Sequence, residues 1–568
     1  MTNDLETIWL YSPPGKEAED FSLRLGLPAP FTQILLNRGI DSEDAAEVFL
    51  HGGLDQLIDP LRMQGMDTAV ARIRRAIREG EQIIIFGDYD VDGILSVVAL
   101  TRALESVGGR VSHFIPERLK KGYGIKPEYL DVVISRGATL AISVDCGMRA
   151  VKFVSLAETE GVDVIITDHH QPGPQIPAAL AVLNPVLESS GYPEKRLAGI
   201  GVVFKLIQEL LTQEGKESHI PHYLKLVAIA TIADVAELRG ENRILVRLGL
   251  KGLEQVSNPG LKSLMRACGL SNGEVGVGDV GFRLGPRINA AGRLGETELA
   301  VNLFFTSSQE EANSIVRQLD KLNAKRQKIE ETIFREAMDL VEKKNLNEKY
   351  KLLILGCREW HRGVVGIVAS KLKDALFRPV ILFSYEDGRA VGSGRSIPGF
   401  SLIECLEHCH AHFLNYGGHP LAVGCELERA NMASLRQAVN QYTQERVTDE
   451  LLKKKIRIDA RIRFEQIDSA FLESYFLLAP FGVGNPRPVF LSEDVEVAAP
   501  PLKLKGKHSK CVFRQDGKSF EGLAWGRKDW AENLNCGDRI NLVYTVQWSE
   551  FRGERKLNFQ IVDIKSPT

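Results

Sequence analysis

Nowhere in its 568 residues does the chain carry an apolar run approaching the roughly 20 residues that span a bilayer, and its first segment, MTNDLETIWLYSPPG, pairs no basic cluster with an apolar stretch. A membrane span and a secretory signal are therefore not expected, and the cytoplasm is the expected compartment. Cysteine is sparse. Its eight copies form no CxxC pair, which fits buried thiols in a reducing compartment better than a disulfide framework. Net charge is only −3, so the chain as a whole is not a basic polyanion binder, although an acidic site and a basic groove can cancel. Internal repeats and low-complexity tracts are missing as well. What remains is ordinary soluble material, 44% apolar and 26% charged, long enough for three or four structural units.

Strand-like apolar runs at Gln82–Phe86, Thr139–Val144 and Val162–Thr167 alternate with helical stretches such as Ile94–Val107 and Gly201–Leu211. That alternation predicts an α/β unit built on a parallel sheet. A polar, proline-free helix follows over about Gln309–Lys344, with Ser307 and Glu310 in capping-box spacing, and suits a bridge between domains. A second α/β unit starts at Lys351–Leu355 and runs to about Arg446. Beyond Ile456, short alternating runs (Asn541–Trp548, Lys556–Ile564) and turn residues predict a small β-barrel or sandwich.

Carboxylates fall at the ends of the strands. Gln82–Phe86 is followed by Gly87-Asp88-Tyr89-Asp90-Val91-Asp92-Gly93, Thr139–Val144 by Asp145-Cys146-Gly147, and Val162–Thr167 by Asp168-His169-His170. The carboxyl ends of parallel strands share one edge of a sheet, where ligands bind, so these groups are expected to converge. Like charges at ~4 Å repel by ~1 to 4 kcal/mol per pair, and divalent cations are the natural compensation. Asp88, Asp90 and Asp92 share a side if their segment is extended. Asp234 closes the apolar helical run Lys225–Ala233 as a fourth carboxylate motif. Oxygen donors with one or two imidazoles suit Mn²⁺ first and Mg²⁺ second. A lone DxDxD is often a solvated loop, and a lone DHH a helix cap; an EF-hand is excluded because Ala99 stands where the twelfth-position Glu belongs. Three such motifs at successive strand ends are a different matter.

Two further segments bear on chemistry. From Pro501 to Thr568 there are 13 Lys/Arg against 8 Asp/Glu, and the cations Lys503, Lys505, Lys507, Lys510, Arg514, Arg527, Lys528, Arg552 and Lys556 interleave with Phe513, Trp525, Trp530, Trp548 and Phe551. Aromatic faces stack on unpaired bases while cations track the backbone; Phe513, Trp525, Trp548 and Phe551 are the base-stacking candidates, with the core of a small barrel as the competing destination for each. The run His408-Cys409-His410-Ala411-His412 invites a zinc site but lacks paired cysteine spacing, and none is expected.

In order along the chain, DYDVDG, VDCG, TDHH and Asp234 resemble the four motifs of the DHH phosphoesterase superfamily. GPRINAAGR (285–293), WHRGVVGI (360–367), GSGRS (392–396), YGGHP (416–420) and PFGVGNP (480–486) extend the likeness to the RecJ family of bacterial single-stranded-DNA-specific 5′→3′ exonucleases over about residues 50–565. Ala236-Glu237 departs from the Val-Pro pair more usual after the fourth motif. The resemblance implies an N-terminal extension (1–45), a DHH domain (46–265), the remainder of that core with a long connecting helix (266–348), a DHHA1 domain (349–446) and an OB-fold nucleic-acid-binding domain (455–568).

It also implies a two-metal phosphodiesterase that releases mononucleotides. By motif, Asp88, Asp90, Asp92, Asp145, His169 and Asp234 would hold the metals, with Asp145 between them. Asp168 would orient the neighbouring imidazole, and His170 would contact the scissile phosphate. Ser393, Arg395 and Ser396 resemble the loop that reads the DNA 5′ end, with Arg118, Arg287 and Arg293 adding phosphate contacts and Gly418 and His419 lying on the substrate side. Single-strand-binding protein and a helicase are the implied partners, in DNA repair and recombination. One alternative is a DHH phosphatase for small substrates, which needs neither the bridging helix nor the basic-aromatic domain. A second, a non-catalytic DNA-binding scaffold, sits poorly with a complete set of carboxylates.

Overall fold

The computed structural model describes residues 7–13, 15–116, 124–270, 273–551 and 554–567. The N-terminal segment does not stand apart: strand β1 (Thr7–Tyr11) pairs in parallel with a strand more than 400 residues downstream, at Lys454–Ile458. Helices Lys16–Leu25, Ala29–Asn37 and Glu43–His51 bury Phe21, Phe31, Ile34 and Phe49 in the same cluster as the C-terminal barrel's core.

The first sheet comprises β2 (Gln82–Phe86), β3 (Arg110–Phe114), β4 (Ala138–Val144), β5 (Asp163–Thr167) and β6 (Ala181–Leu183), all parallel, in the order β3-β2-β4-β5-β6. The inner strands β2, β4 and β5 are mostly apolar and buried because helices cover both faces. Successive residues feed opposite cores: Ile83, Ile85, Leu140, Ile142 and Ile165 join one buried cluster, and Ile84, Phe86, Ala141, Val164 and Ile166 the other. The chain leaves β2 toward β3 and returns on the other side as β4, so the strand order reverses between β2 and β4. A crevice opens there at the carboxyl ends, at the place such sheets bind ligands.

The connecting helix spans Gln309–Lys343, about 50 Å at 1.5 Å per residue. Its cap is Ser308, whose hydroxyl accepts from Glu311 N–H, one residue later than the Ser307 spacing suggested, because Thr306 and Ser307 are still in the turn. A mixed sheet follows, of β7 (Leu353–Cys357), β8 (Val380–Glu386), β9 (Arg389–Arg395), β10 (Asn415–His419) and β11 (Ala422–Glu428), in the order β10-β11-β9-β8-β7. In the last domain, β12 (Lys454–Ile458) and β13 (Ala460–Arg461) lead into β14 (Phe490–Leu504), β15 (His508–Gln515), β16 (Lys518–Ala524), β17 (Arg539–Phe551) and β18 (Glu554–Lys565). Pairing of β14 with β17 closes these five long strands into a barrel, consistent with an OB fold.

One buried cation ties this barrel to the first domain. Arg243, on helix Gly240–Gly252, lies over the Phe49 ring, 3.7 Å from its centroid, and donates to the carbonyls of Phe49, Leu477, Leu478, Ala479 and Pro480. These oxygens end the helices Glu43–His51 and Ser469–Leu477, where backbone acceptors lack intrahelical donors. Leu238 N–H to Val483 O (2.7 Å) and Arg239 Nε to Gly484 O (2.7 Å) extend the joint.

Candidate metal centre and substrate cleft

The acidic motifs meet at the crevice between β2 and β4. Asp88 follows β2, and Asp90 caps the helix Val91–Ser106 by accepting from Gly93 N–H (3.1 Å). Asp92 lies inside the first turn of that helix, so the three carboxylates do not share one side as an extended segment would require; the 100° helical step turns Asp92 away. Two triads result. Ligand atoms of Asp88, Asp90 and Asp145 lie within 4.8 Å of one another, and so do those of Asp92, His169 and Asp234. Asp145 joins the two, its Oδ1 standing 3.1 Å from His169 Nε2, and it forms a third such group with His169 and His170.

The site's electrostatics call for a cation. Asp145 Oδ1 and His169 Nε2 are buried and, among the described residues, lack a partner of hydrogen-bonding geometry. Burial, then the facing Asp92, Asp90, Asp234 and Asp88, hold the Asp145 carboxyl well above the usual carboxylate range. Burial and Asp90 push Asp92 up to about 7, although Gly199 and Ile200 N–H groups donate to it at 2.8 Å. Asp234 is raised by burial and by Asp92 and Asp90. His169 is pulled down to about 4 by burial and by His170, so it presents a neutral imidazole, the form that ligates metals. A crowded set of oxygen donors with one neutral imidazole and an orphaned pair of atoms at its centre fits divalent cations of the Mn²⁺ and Mg²⁺ type.

Asp168 plays a different part from its neighbours. Its carboxylate accepts from the N–H groups of Met148, His169 and His170, and Oδ1 stands 2.8 Å from His170 Nδ1. Burial disfavours charge on both, yet this pairing leaves Asp168 lowered and His170 raised. The His170 ring is thus anchored through Nδ1.

The backbone flanking the ligands is unusual. Asp145 has φ 56° and Val235, directly after Asp234, φ 63°. A β-branched residue there is a true outlier, and such strain clusters at functional sites. Glycines supply close approaches: a Cβ on Gly199 would lie 2.7 Å from Asp145 Oδ1, and one on Gly292 would collide with Tyr89 O. Gly292 brings helix Gly285–Leu294 onto the metal loop, and Arg293 Nη1 next to it donates to Gly363 O (3.0 Å) across the cleft. Behind Gly363, the helix Val365–Leu376 directs its N-terminus at Ser393 and Arg395; a Cβ on Gly366 would meet Ser393 Oγ at 2.9 Å and Arg395 Nη2 at 3.4 Å. A helix N-terminus, a hydroxyl and a guanidinium are groups suited to an anion.

The DHH family, N-terminal domain, matches residues 82–231; the DHHA1 domain matches residues 349–445, and the RecJ OB domain residues 458–563. "Single-stranded-DNA-specific exonuclease RecJ" of Salmonella typhimurium is 33% identical over 574 residues, 97% of this chain and 98% of that protein. This chain belongs to the RecJ family. The crystal structure of RecJ in complex with Mn²⁺ from Thermus thermophilus superimposes with TM-score 0.85 at 30% identity, covering 100% of this chain and 80% of that one. Its counterpart in complex with Mg²⁺ gives TM-score 0.78 at 29% identity, covering 100% and 79%.

The remaining RecJ-type positions separate. Gly418 and His419 are exposed on β10. Arg287 pairs with Asp320 (2.7 Å) and donates to Arg283 O. Ser396 is corrected from a substrate contact to a structural residue: it is buried, and its hydroxyl donates to Phe400 O (2.7 Å). Phe513 is corrected likewise. It is fully buried in the barrel core, because it alternates inward on β15. Trp525 is 56% exposed, and half-buried Trp548 stacks on Phe476 (centroids 5.9 Å apart). Arg118 lies outside the described residues, as does the side chain of Phe551. Sequence reading missed Gly199, Ile200 and Asn289, whose side chain accepts from Val91 N–H (3.3 Å); their contacts are through backbone or across more than 100 residues and carry no local signature.

Proposed function

We propose that this chain is a single-stranded-DNA-specific exonuclease that works from the 5′ end and releases mononucleotides by hydrolysis at two divalent cations. Asp88, Asp90 and Asp145 would hold one ion and Asp92, His169 and Asp234 the other, with Asp145 shared. The observation that carries the reading is this pair of adjoining ligand triads, continuous through Gly292, Arg293 and Gly363 with the anion-suited groups at Ser393 and Arg395. Bound cations supply charge neutralisation on the phosphate and activation of the attacking water.

The protein's own residues set the geometry. Asp168 holds the His170 ring through Nδ1 and so sets its orientation toward the scissile phosphate. Gly199 and Ile200 N–H groups fix the Asp92 carboxylate while its other lone pairs stay free for an ion. Arg395, Ser393 and the N-terminus of helix Val365–Leu376 suit a terminal phosphate, which supports a 5′ polarity. Exposed Trp525, half-buried Trp548 and the basic strands around them suit an unpaired strand. With DNA as substrate, the work would lie in the cytoplasm, in repair and recombination, with single-strand-binding protein and a helicase as the expected partners; co-purification from cells tests that part.

The deciding assay incubates end-labelled single-stranded, duplex and very short oligonucleotides with Mn²⁺, alongside Asp145→Ala. Label leaves first from the 5′ end, only from single strands, and stays in place with the variant. Equal loss from both ends, or activity that survives Asp145→Ala, refutes the assignment, and a preference for the shortest substrates would favour a small-substrate phosphatase.

A further inference from the structure

The loop after Asp145 carries a cation with no role in the site described above. Met148 N–H is pinned to Asp168 Oδ2 (3.0 Å), which fixes where the next residue starts. That residue, Arg149, is exposed and makes no hydrogen bond or ion pair among the described residues. Its side chain passes Gly173, with Cγ 3.9 Å from where a Cβ there would stand. Its guanidinium then reaches the second sheet, Nη1 and Nη2 lying 3.4 and 3.7 Å from the Cβ position of Gly417. Arg149 therefore crosses from the metal-bearing lobe to β10 of the companion lobe and ends over bare backbone.

Strand register shows what it faces. Gly417 pairs with Gly424 of β11, and Gly424 with Ser393 of β9. Directly opposed residues share a sheet face, and Arg395 shares it with Ser393 two residues away. Arg149 thus occupies the same face as Ser393 and Arg395, two strand spacings or about 10 Å from Ser393. Among the described residues nothing stands within 4 Å of the Cβ position of Gly424, so the floor between them is open. A guanidinium serving as a strut between lobes would take carbonyl oxygens, as Arg243 does with five. Arg149 takes none, which leaves its five N–H donors for a ligand in the trough.

We propose that Arg149 binds a backbone phosphodiester of the single strand in this glycine-floored trough, at the opposite end from Ser393 and Arg395. Planar bidentate contact with phosphate oxygens is what a guanidinium does best. With substrate bound, Arg149 and Arg395 would hold the same strand from different lobes. The inference rests on the exonuclease reading and adds a substrate contact to it.

Binding of a labelled single strand is measured by anisotropy in EDTA, where no hydrolysis occurs, for the full-length protein, Arg149→Met and Arg149→Lys. Arg149→Met is expected to weaken binding about tenfold and to flatten the dependence of log K on log salt by about 0.7, the value of one phosphate contact; Arg149→Lys recovers part of both. Strands with one neutral methylphosphonate linkage, moved stepwise from the 5′ end, locate the contact. In the natural protein one linkage matters most near the trough, and in Arg149→Met that linkage no longer matters. An unchanged affinity and linkage profile in Arg149→Met overturns the proposal, and so does a loss spread evenly over all linkages with a lowered Tm. Failure of the natural protein to degrade single strands in Mn²⁺ would instead count against the exonuclease reading.

Discussion

The edge of the first sheet and the surface of the C-terminal barrel were both marked by residue types suited to DNA hydrolysis, yet the structure treats them differently. At the sheet edge, Asp88, Asp90, Asp92, Asp145, His169 and Asp234 all converge. In the barrel, Phe513 goes to the core, Trp548 stacks half-buried on Phe476, and Trp525 alone of the three is largely exposed. The difference is chemical. A carboxylate cannot be spent on core packing, so a cluster of them at strand ends has few uses besides holding cations. An aromatic ring serves a small barrel equally well inside or outside, and only strand alternation decides which.

The largest expected effect lies at the sheet edge. Asp145→Ala should reduce cleavage of single strands by about a thousandfold or more, since it removes the carboxylate that joins the two triads, while binding in EDTA persists; loss of binding in parallel would show that the edge also builds the strand's track. Next comes Phe513→Ala, expected to cost about 3–5 kcal/mol of stability as a large-to-small core change, read as a fall in denaturation midpoint. Trp525→Ala should instead leave that midpoint in place and weaken single-strand binding by about 1–3 kcal/mol. If Phe513→Ala weakened binding without destabilising the protein, the contrast between the two rings would collapse.

The smallest effect is a dependence on pH. Burial and Asp90 raise Asp92 to about 7 in the ion-free fold, above its value in the unfolded chain. The ion-free folded protein therefore keeps a proton that the unfolded chain releases, and stability from this group falls as pH rises from about 4 to about 7. Divalent ions take the proton's place, so the rise in Tm on adding Mn²⁺ should be slight near pH 5 and grow by a few degrees toward pH 8. A Mn²⁺ effect equal at both pH values would argue against ligation by these carboxylates.

Much of this was legible in the chain. The runs ending at Phe86, Val144 and Thr167 read as strands because short, mostly apolar stretches rich in Ile and Val suit a sheet covered on both faces, and the acids directly after them had to share an edge. The helix Gln309–Lys343 was visible in its length and polarity. Less was legible where a residue's fate depended on a distant partner. Asp92 turned away from Asp88 and Asp90 because a helix begins at Val91 and because Gly199 and Ile200 meet its carboxylate. Ser396 looked like part of a phosphate loop and is held instead by Phe400 O. The segment before residue 45, which reads as an appendage, packs into the barrel's core through Phe21 and Phe31.

The sequence by itself determined the clustered acids and imidazoles, the parallel-sheet frame that gathers them, and the order of the lobes, because charge type and apolar period are local properties of the chain. The tertiary structure decided how six ligands divide into two triads, which aromatics remain outside, how Arg243 locks the barrel to the metal-bearing lobe, and where Arg149 ends. Those outcomes depend on backbone groups and register partners that lie hundreds of residues away, and no local pattern encodes them.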